Sequence, residues 1–148
     1  MAGGRPPCLL LGAAGVGKSL LVKRLQKLSS KEGAKGLGEP PATLPTVGTN
    51  LTDLLVQRKI TIRELGGCMG PIWPSYYGDC SAVLFMIDAA NPTQVSSSCI
   101  QLLSLLSAEQ LASVSVLILF NKIQVMPEET YHALEGGSCA LLHFLQTN

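Results

Sequence analysis

Charge is scarce in this chain. Only 14% of its 148 residues are Asp, Glu, Lys or Arg, and they balance to a net charge of +1. No excess of either sign marks it as a nucleic-acid binder or as a partner for acidic membrane surfaces. Aromatic residues are also few, 5% of the chain with a single Trp. Most of that aromatic area falls in one place, at Trp73, Tyr76 and Tyr77. No apolar run reaches the ~18 residues of a membrane span. There is no C-x-x-C pair: Cys8, Cys68, Cys80, Cys99 and Cys139 are odd in number and widely spaced, the pattern of reduced cytoplasmic thiols rather than of a disulfide framework. Residues Met1 to Pro7 lack a signal-peptide core and a second-position glycine for myristoylation. What the chain does have is apolar side chain, 47% of it. With this length, the composition suits one α/β domain over residues 1–148 with a buried sheet.

One stretch carries a complete motif. Gly12-Ala13-Ala14-Gly15-Val16-Gly17-Lys18-Ser19 fits G-x-x-x-x-G-K-[ST] at every fixed position. Its flanks fit too. Cys8 to Leu11 reads as a short buried strand, and Leu20, Leu21, Leu25 and Leu28 recur afterwards at helical spacing. In a strand–loop–helix unit of this kind, backbone N–H groups wrap phosphates at the positive end of the helix. Lys18 is then placed to reach the β- and γ-phosphates, and the Ser19 hydroxyl to ligate Mg²⁺.

Further along, the glycine- and proline-rich stretch from Lys31 to Pro45 reads as a loop. Leu51 to Val56 and Ile60 to Leu65 form two candidate strands around a turn at Gln57-Arg58-Lys59, with Ile60 and Ile62 facing opposite to Thr61 and Arg63. The segment from Gly70 to Gly78 is punctuated by Pro71 and Pro74 and is expected to be irregular. Its three aromatics are either core plugs or part of a partner surface. Ala82 to Ile87, closed by Asp88, and Val114 to Phe120 read as buried parallel strands. Between them, a helix over Thr93 to Leu106 follows Asn91-Pro92, with Val95, Cys99, Leu102, Leu103 and Leu106 as its apolar stripe. Strands alternating with helices imply right-handed crossovers and a mostly parallel sheet.

Pro45-Thr46-Val47-Gly48-Thr49-Asn50, Glu64-Leu65-Gly66-Gly67-Cys68, the Gly70 to Cys80 stretch, Phe85 to Pro92 and Leu119-Phe120-Asn121-Lys122 follow the loop in an order that resembles the Arf-like small GTPases, from about Cys8 to Lys122. The resemblance implies a P-loop small-GTPase fold, a mostly parallel sheet with helices on both faces. It implies GTP or GDP and Mg²⁺ as ligands and a nucleotide-dependent switch acting on effector and regulatory proteins, as in membrane traffic. Position by position, Thr46 matches the switch I threonine that ligates Mg²⁺, joining Ser19, and Gly67 the switch II glycine whose N–H senses the γ-phosphate. Asn121 and Lys122 match the base-binding pair. Loss of the γ-phosphate would release both switch segments.

The chain also departs from that pattern. The switch II acid is Glu64 where the family has Asp, and Cys68 stands where a glutamine orients the attacking water. A thiol is a weak donor and acceptor, so catalysis by Lys18, Thr46 and Cys68 is expected to be slow. Gln124 stands at the guanine-reading aspartate. Mispairing there costs about 1–3 kcal/mol, so guanine selectivity should fall about tenfold or more. From about residue 123 onward the resemblance lapses. Residues 123–148 read as an atypical tail, lacking a last strand and last helix and leaving the Val114–Phe120 strand as an apolar edge. Residues 1–7 are too short for an amphipathic membrane helix. The other reading is a non-catalytic interaction module with impaired nucleotide binding. A P-loop kinase or ATPase is disfavoured by the P-T-V-G and G-G segments.

Overall fold

The computed structural model describes residues 4–30 and 48–122. Within them β1 (Cys8–Gly12), β2 (Thr49–Leu55), β3 (Lys59–Leu65), β4 (Ala82–Asp88) and β5 (Ser115–Asn121) form one sheet in the order β2-β3-β1-β4-β5. Only β2 runs antiparallel, to β3; every other pairing is parallel. The hairpin follows from the alternation in Ile60 to Leu65, and its register sets Leu51 opposite Arg63 and Leu54 opposite Ile60. β1 takes the central place because it is apolar on both faces. Leu9, Leu10 and Leu11 are all fully buried, as a strand covered from above and below must be.

Two helices cover the two faces. α1 (Lys18–Ser29) lies on the face where Leu10, Val22, Leu54 and Ile62 cluster. Leu9, Leu11, Leu65, Val83, Phe85, Ile87 and Ile118 point the other way, into the larger core that α2 (Pro92–Leu106) closes with Leu102 and Leu105. α2 starts as its sequence signals: Asn91 accepts from the Gln94 N–H, and Pro92 opens the first turn, where a missing N–H costs nothing. No helix among the described residues is long and apolar enough to cross a membrane.

Three local expectations change. The segment rich in Gly and Pro is a 3₁₀ helix, Gly67–Tyr76, with a kink at Met69. Trp73 and Tyr77 plug the core from it, with Trp73 edge-on to Phe85 at 6.3 Å between ring centroids. Tyr76 stays half-buried at the rim. The α2 stripe is rotated from the expected one: Ser98, Leu102 and Leu105 are buried, while Leu103 and Leu106 face outward at 66% and 46% exposure. On α1, Val22 is the buried apolar residue, Leu21 and Leu25 are partly buried against it, and Leu28 is exposed. The expectations for the Lys31 to Pro45 loop and for a missing last strand and helix fall outside the described residues.

The rotated stripe gives a direct test. Leu105→Ala should lower stability by about 2–5 kcal/mol through the cavity it leaves. Leu106→Ala should stay within about 0.5 kcal/mol, and urea denaturation of the two variants side by side measures both.

Candidate functional site

The loop between β1 and α1 is closed around its own lysine. The Lys18 ammonium is 5% exposed and donates to the Gly12 carbonyl at 2.7 Å and to the Ala13 carbonyl at 2.8 Å. Burial pulls its pKa below the ordinary lysine value, against the opposing pull of the Glu64 carboxylate and Cys68. Gly17, the residue at the start of α1, has φ 105°, a conformation in which a side chain would be strained and would also meet the Asn121 amide. The helix therefore begins without a side-chain cap and with no acidic residue in its first turn. An uncapped helix start beside a buried ammonium is suited to an anion.

The end of β3 meets this loop twice. Glu64, 4% exposed, accepts a short hydrogen bond from the Ser19 hydroxyl. Three residues later the chain passes so close to Ala13 and Ala14 that a Cβ on Gly67 would overlap their backbone. The crossing holds only for glycine. Behind it, the Trp73 indole N–H donates to the Gly66 carbonyl at 3.2 Å, tying the crossing to the core. Cys68 follows as an exposed free thiol.

The end of β5 reaches the loop from the other side. Asn121 Nδ2 donates to the Val16 carbonyl and Lys122 Nζ to the Gly15 carbonyl, both at 2.8 Å. Lys122 also pairs with Asp88 at 3.1 Å, and the other Asp88 oxygen accepts from the Ala90 N–H. So Gly12 to Ser19, Gly67, Asn121 and Lys122 come together at one end of the sheet. Thr46 and Gln124 lie outside the described residues.

Three contributors escape a reading of the sequence. Glu64 is legible as an acid at a strand end, but its contact with Ser19 is not. Asp88 reads only as the polar close of a buried strand. Gln94 donates from α2 to the Ala14 carbonyl at 3.1 Å, and nothing in its neighbourhood signals that contact.

As to ligands, Ser19 and Glu64 present a hydroxyl and a carboxylate, the hard oxygen donors that suit Mg²⁺. The uncapped start of α1 and Lys18 suit phosphate. The residues present fit a metal–nucleotide pair.

Comparison with known proteins agrees with this geometry. The family described as "Arf: ADP-ribosylation factor family" matches residues 5–136. The chain is 74% identical over 118 residues to the human ADP-ribosylation factor-like protein 16, a match that takes in 80% of this chain and 60% of that protein. It is 32% identical over 117 residues to the yeast (Saccharomyces cerevisiae) ADP-ribosylation factor-like protein 1, covering 77% of this chain and 58% of that one. The chain thus spans about 60% of the length of these relatives. In fold it is similar to the Arl6 BBS3 small GTPase from Trypanosoma brucei, solved with the bound nucleotide analogue GppNp. The TM-score is 0.68 over 90% of this chain and 79% of that one, at 17% identity. With a family match over most of its length, the chain belongs to the ADP-ribosylation factor family, and its strands, loop and helices take the small-GTPase fold.

Proposed function

We propose that the chain is a guanine-nucleotide-binding switch of the Arf-like type, with slow intrinsic GTP hydrolysis, that regulates effector proteins. The observation that supports this most directly is the double contact of β3 with the loop: Glu64 on Ser19 and Gly67 on Ala13–Ala14. A γ-phosphate bound at the loop lies where both segments can register it, and that is what a switch requires.

In this reading Lys18 turns from the Gly12 and Ala13 carbonyls toward the β- and γ-phosphates, and the N–H groups of residues 13–19 surround them. Ser19 and Thr46 would hold Mg²⁺, with the Glu64 carboxylate beside Ser19, and the ion would supply positive charge against the phosphates. Asn121 and Lys122 hold the loop to β5 while contacting the base, and Gln124 weakens the choice of guanine. Gly67 reports the γ-phosphate through its N–H. Cys68 offers no strong group to orient an attacking water, so turnover depends on groups that a regulatory protein supplies. Effector and regulatory proteins then meet the chain at its switch segments, and membrane traffic is the setting that the family resemblance suggests.

Three outcomes test this. Binding of GTP, GDP and ATP with Mg²⁺, followed by calorimetry, should be lost by about a hundredfold or more in Lys18→Ala, because a charge-assisted phosphate contact disappears. Equal binding in wild type and variant would rule the switch out and favour an interaction module that does not use nucleotide. Cys68→Gln should raise single-turnover GTP hydrolysis, and an unchanged rate would remove the explanation for slow turnover. Gly67→Ala should separate β3 from the loop, lowering the melting temperature and impairing discrimination between GTP and GDP. A variant that melts and discriminates like wild type would contradict the crossing.

A further inference from the structure

α2 is an apolar helix with one polar seam. Gln94, Ser98 and Gln101 recur at i, i+4 and i+7, which sets them on one side of it. Both ends of the seam meet parts of the site. At the near end Gln94 Nε2 donates to the Ala14 carbonyl at 3.1 Å, on a residue that the Gly67 crossing also touches. At the far end a Cβ on Gly70 would come within 3.1 Å of the Gln101 amide nitrogen. The start of the 3₁₀ helix, residues 67–70, therefore runs alongside α2, with Ser98 between the two contacts.

Two atoms of this seam are buried without a partner. Gln94 Oε1 and Ser98 Oγ are both out of contact with solvent, and neither has a hydrogen-bond partner among the described residues. Ser98 as a whole is 1% exposed. A buried acceptor or hydroxyl left unpaired costs stability, and most such groups in folded proteins are paired. Leucine and alanine would avoid that cost in a helix already rich in leucine. Groups that break a local rule in this way concentrate where a protein changes partners.

The segment facing them is built to shift. It kinks at Met69, and Gly66, Gly67 and Gly70 place no side chain between its backbone and α2. The Met69 N–H already donates to the Gly66 carbonyl at 3.0 Å. The Cys68 N–H comes too early in the 3₁₀ helix to have an acceptor within it.

We infer that Gln94 is a positioning residue of the nucleotide switch. With a triphosphate in the loop, its Oε1 accepts the Cys68 N–H and the Ser98 hydroxyl donates to a backbone carbonyl of the same segment, so that the start of the 3₁₀ helix is seated on α2. With a diphosphate both groups stay unpaired. A carboxamide suits the task because it carries a donor and an acceptor on one planar group: Nε2 keeps the loop while Oε1 takes the switch segment. The Gly67 N–H goes to the γ-phosphate and the next N–H goes to Gln94, so each has an acceptor in the triphosphate state. Hydrogen bonds made in only one state supply the differential free energy that a population shift requires. The dependence on nucleotide rests on the switch reading above; the unpaired atoms of the seam do not.

The test compares Gln94→Leu and Ser98→Ala with the wild-type full chain. Ser98→Ala deletes only an unpaired hydroxyl, so without nucleotide it should melt at or above the wild-type temperature. By calorimetry with Mg²⁺, both variants should lower the preference for GTP over GDP by about fivefold or more. Leu103→Ala, on the exposed side of α2, should keep the preference. In amide hydrogen exchange, Cys68 of the wild type should exchange more slowly with GppNp than with GDP, and this difference should vanish in Gln94→Leu. A lower melting temperature in Ser98→Ala with the wild-type preference retained marks an ordinary structural hydroxyl and overturns the inference. So does Cys68 exchange in the wild type that is the same with either nucleotide. A wild type that discriminates while both variants keep its preference overturns the inference and leaves the switch reading standing. A wild type that binds both nucleotides alike, or neither, overturns the two together.

Discussion

A buried ammonium cannot be left without oxygen partners, and in this chain that requirement shapes the loop. Lys18 satisfies it by donating back to the carbonyls of Gly12 and Ala13, which curls the loop around the side chain and fixes where α1 begins. The loop's outer carbonyls, at Ala14, Gly15 and Val16, are then taken up by Gln94 of α2 and by Lys122 and Asn121 at the end of β5. Those from Gln94 and Asn121 are neutral hydrogen bonds of ordinary strength, and the one from Lys122 is charge-assisted. Together they hold a glycine-rich segment that would otherwise lose a large conformational entropy on ordering.

Because β3 ends against this loop, the two cannot move independently. The Gly67 backbone touches Ala13 and Ala14, while the neighbouring Gly66 carbonyl is held by Trp73, whose ring sits edge-on to Phe85 in the core. A change at the loop thus has a short mechanical route into the 3₁₀ helix and on to Tyr76 and Arg63. This coupling runs through contiguous packing, and the two arrangements that a switch needs are what nucleotide is proposed to select.

Most of the sheet was legible in the sequence because its strands are short apolar runs closed by polar residues. The hairpin was legible from the two-residue alternation of Ile60, Thr61, Ile62 and Arg63. The phosphate loop was legible because G-x-x-x-x-G-K-S leaves few other uses for its spacing. The phase of α2 was not. Pro92 to Leu106 contains no charged residue, so nothing polar enough marks its outer face, and leucines occur on both sides. Packing against β4 then decides, burying Ser98 and Leu105 in place of Leu103 and Leu106. Contacts such as Gln94 with Ala14, 80 residues apart, leave no local trace either. Glu64 marks the boundary between the two cases: its residue type stood out as a departure from the family, while its partner did not.

Lys122 adopts a left-handed backbone conformation, φ 63°. For a residue with a side chain that conformation costs about 1–2 kcal/mol, a cost that glycine escapes. The side chain offsets it by reaching Gly15 and Asp88 at once. The end of β5 is therefore a cocked joint, whose backbone strain persists only while the lysine keeps hold of the loop. Whatever draws the ammonium away from those two oxygens also frees the peptide to relax, so side-chain release and backbone rotation at this joint become a single event.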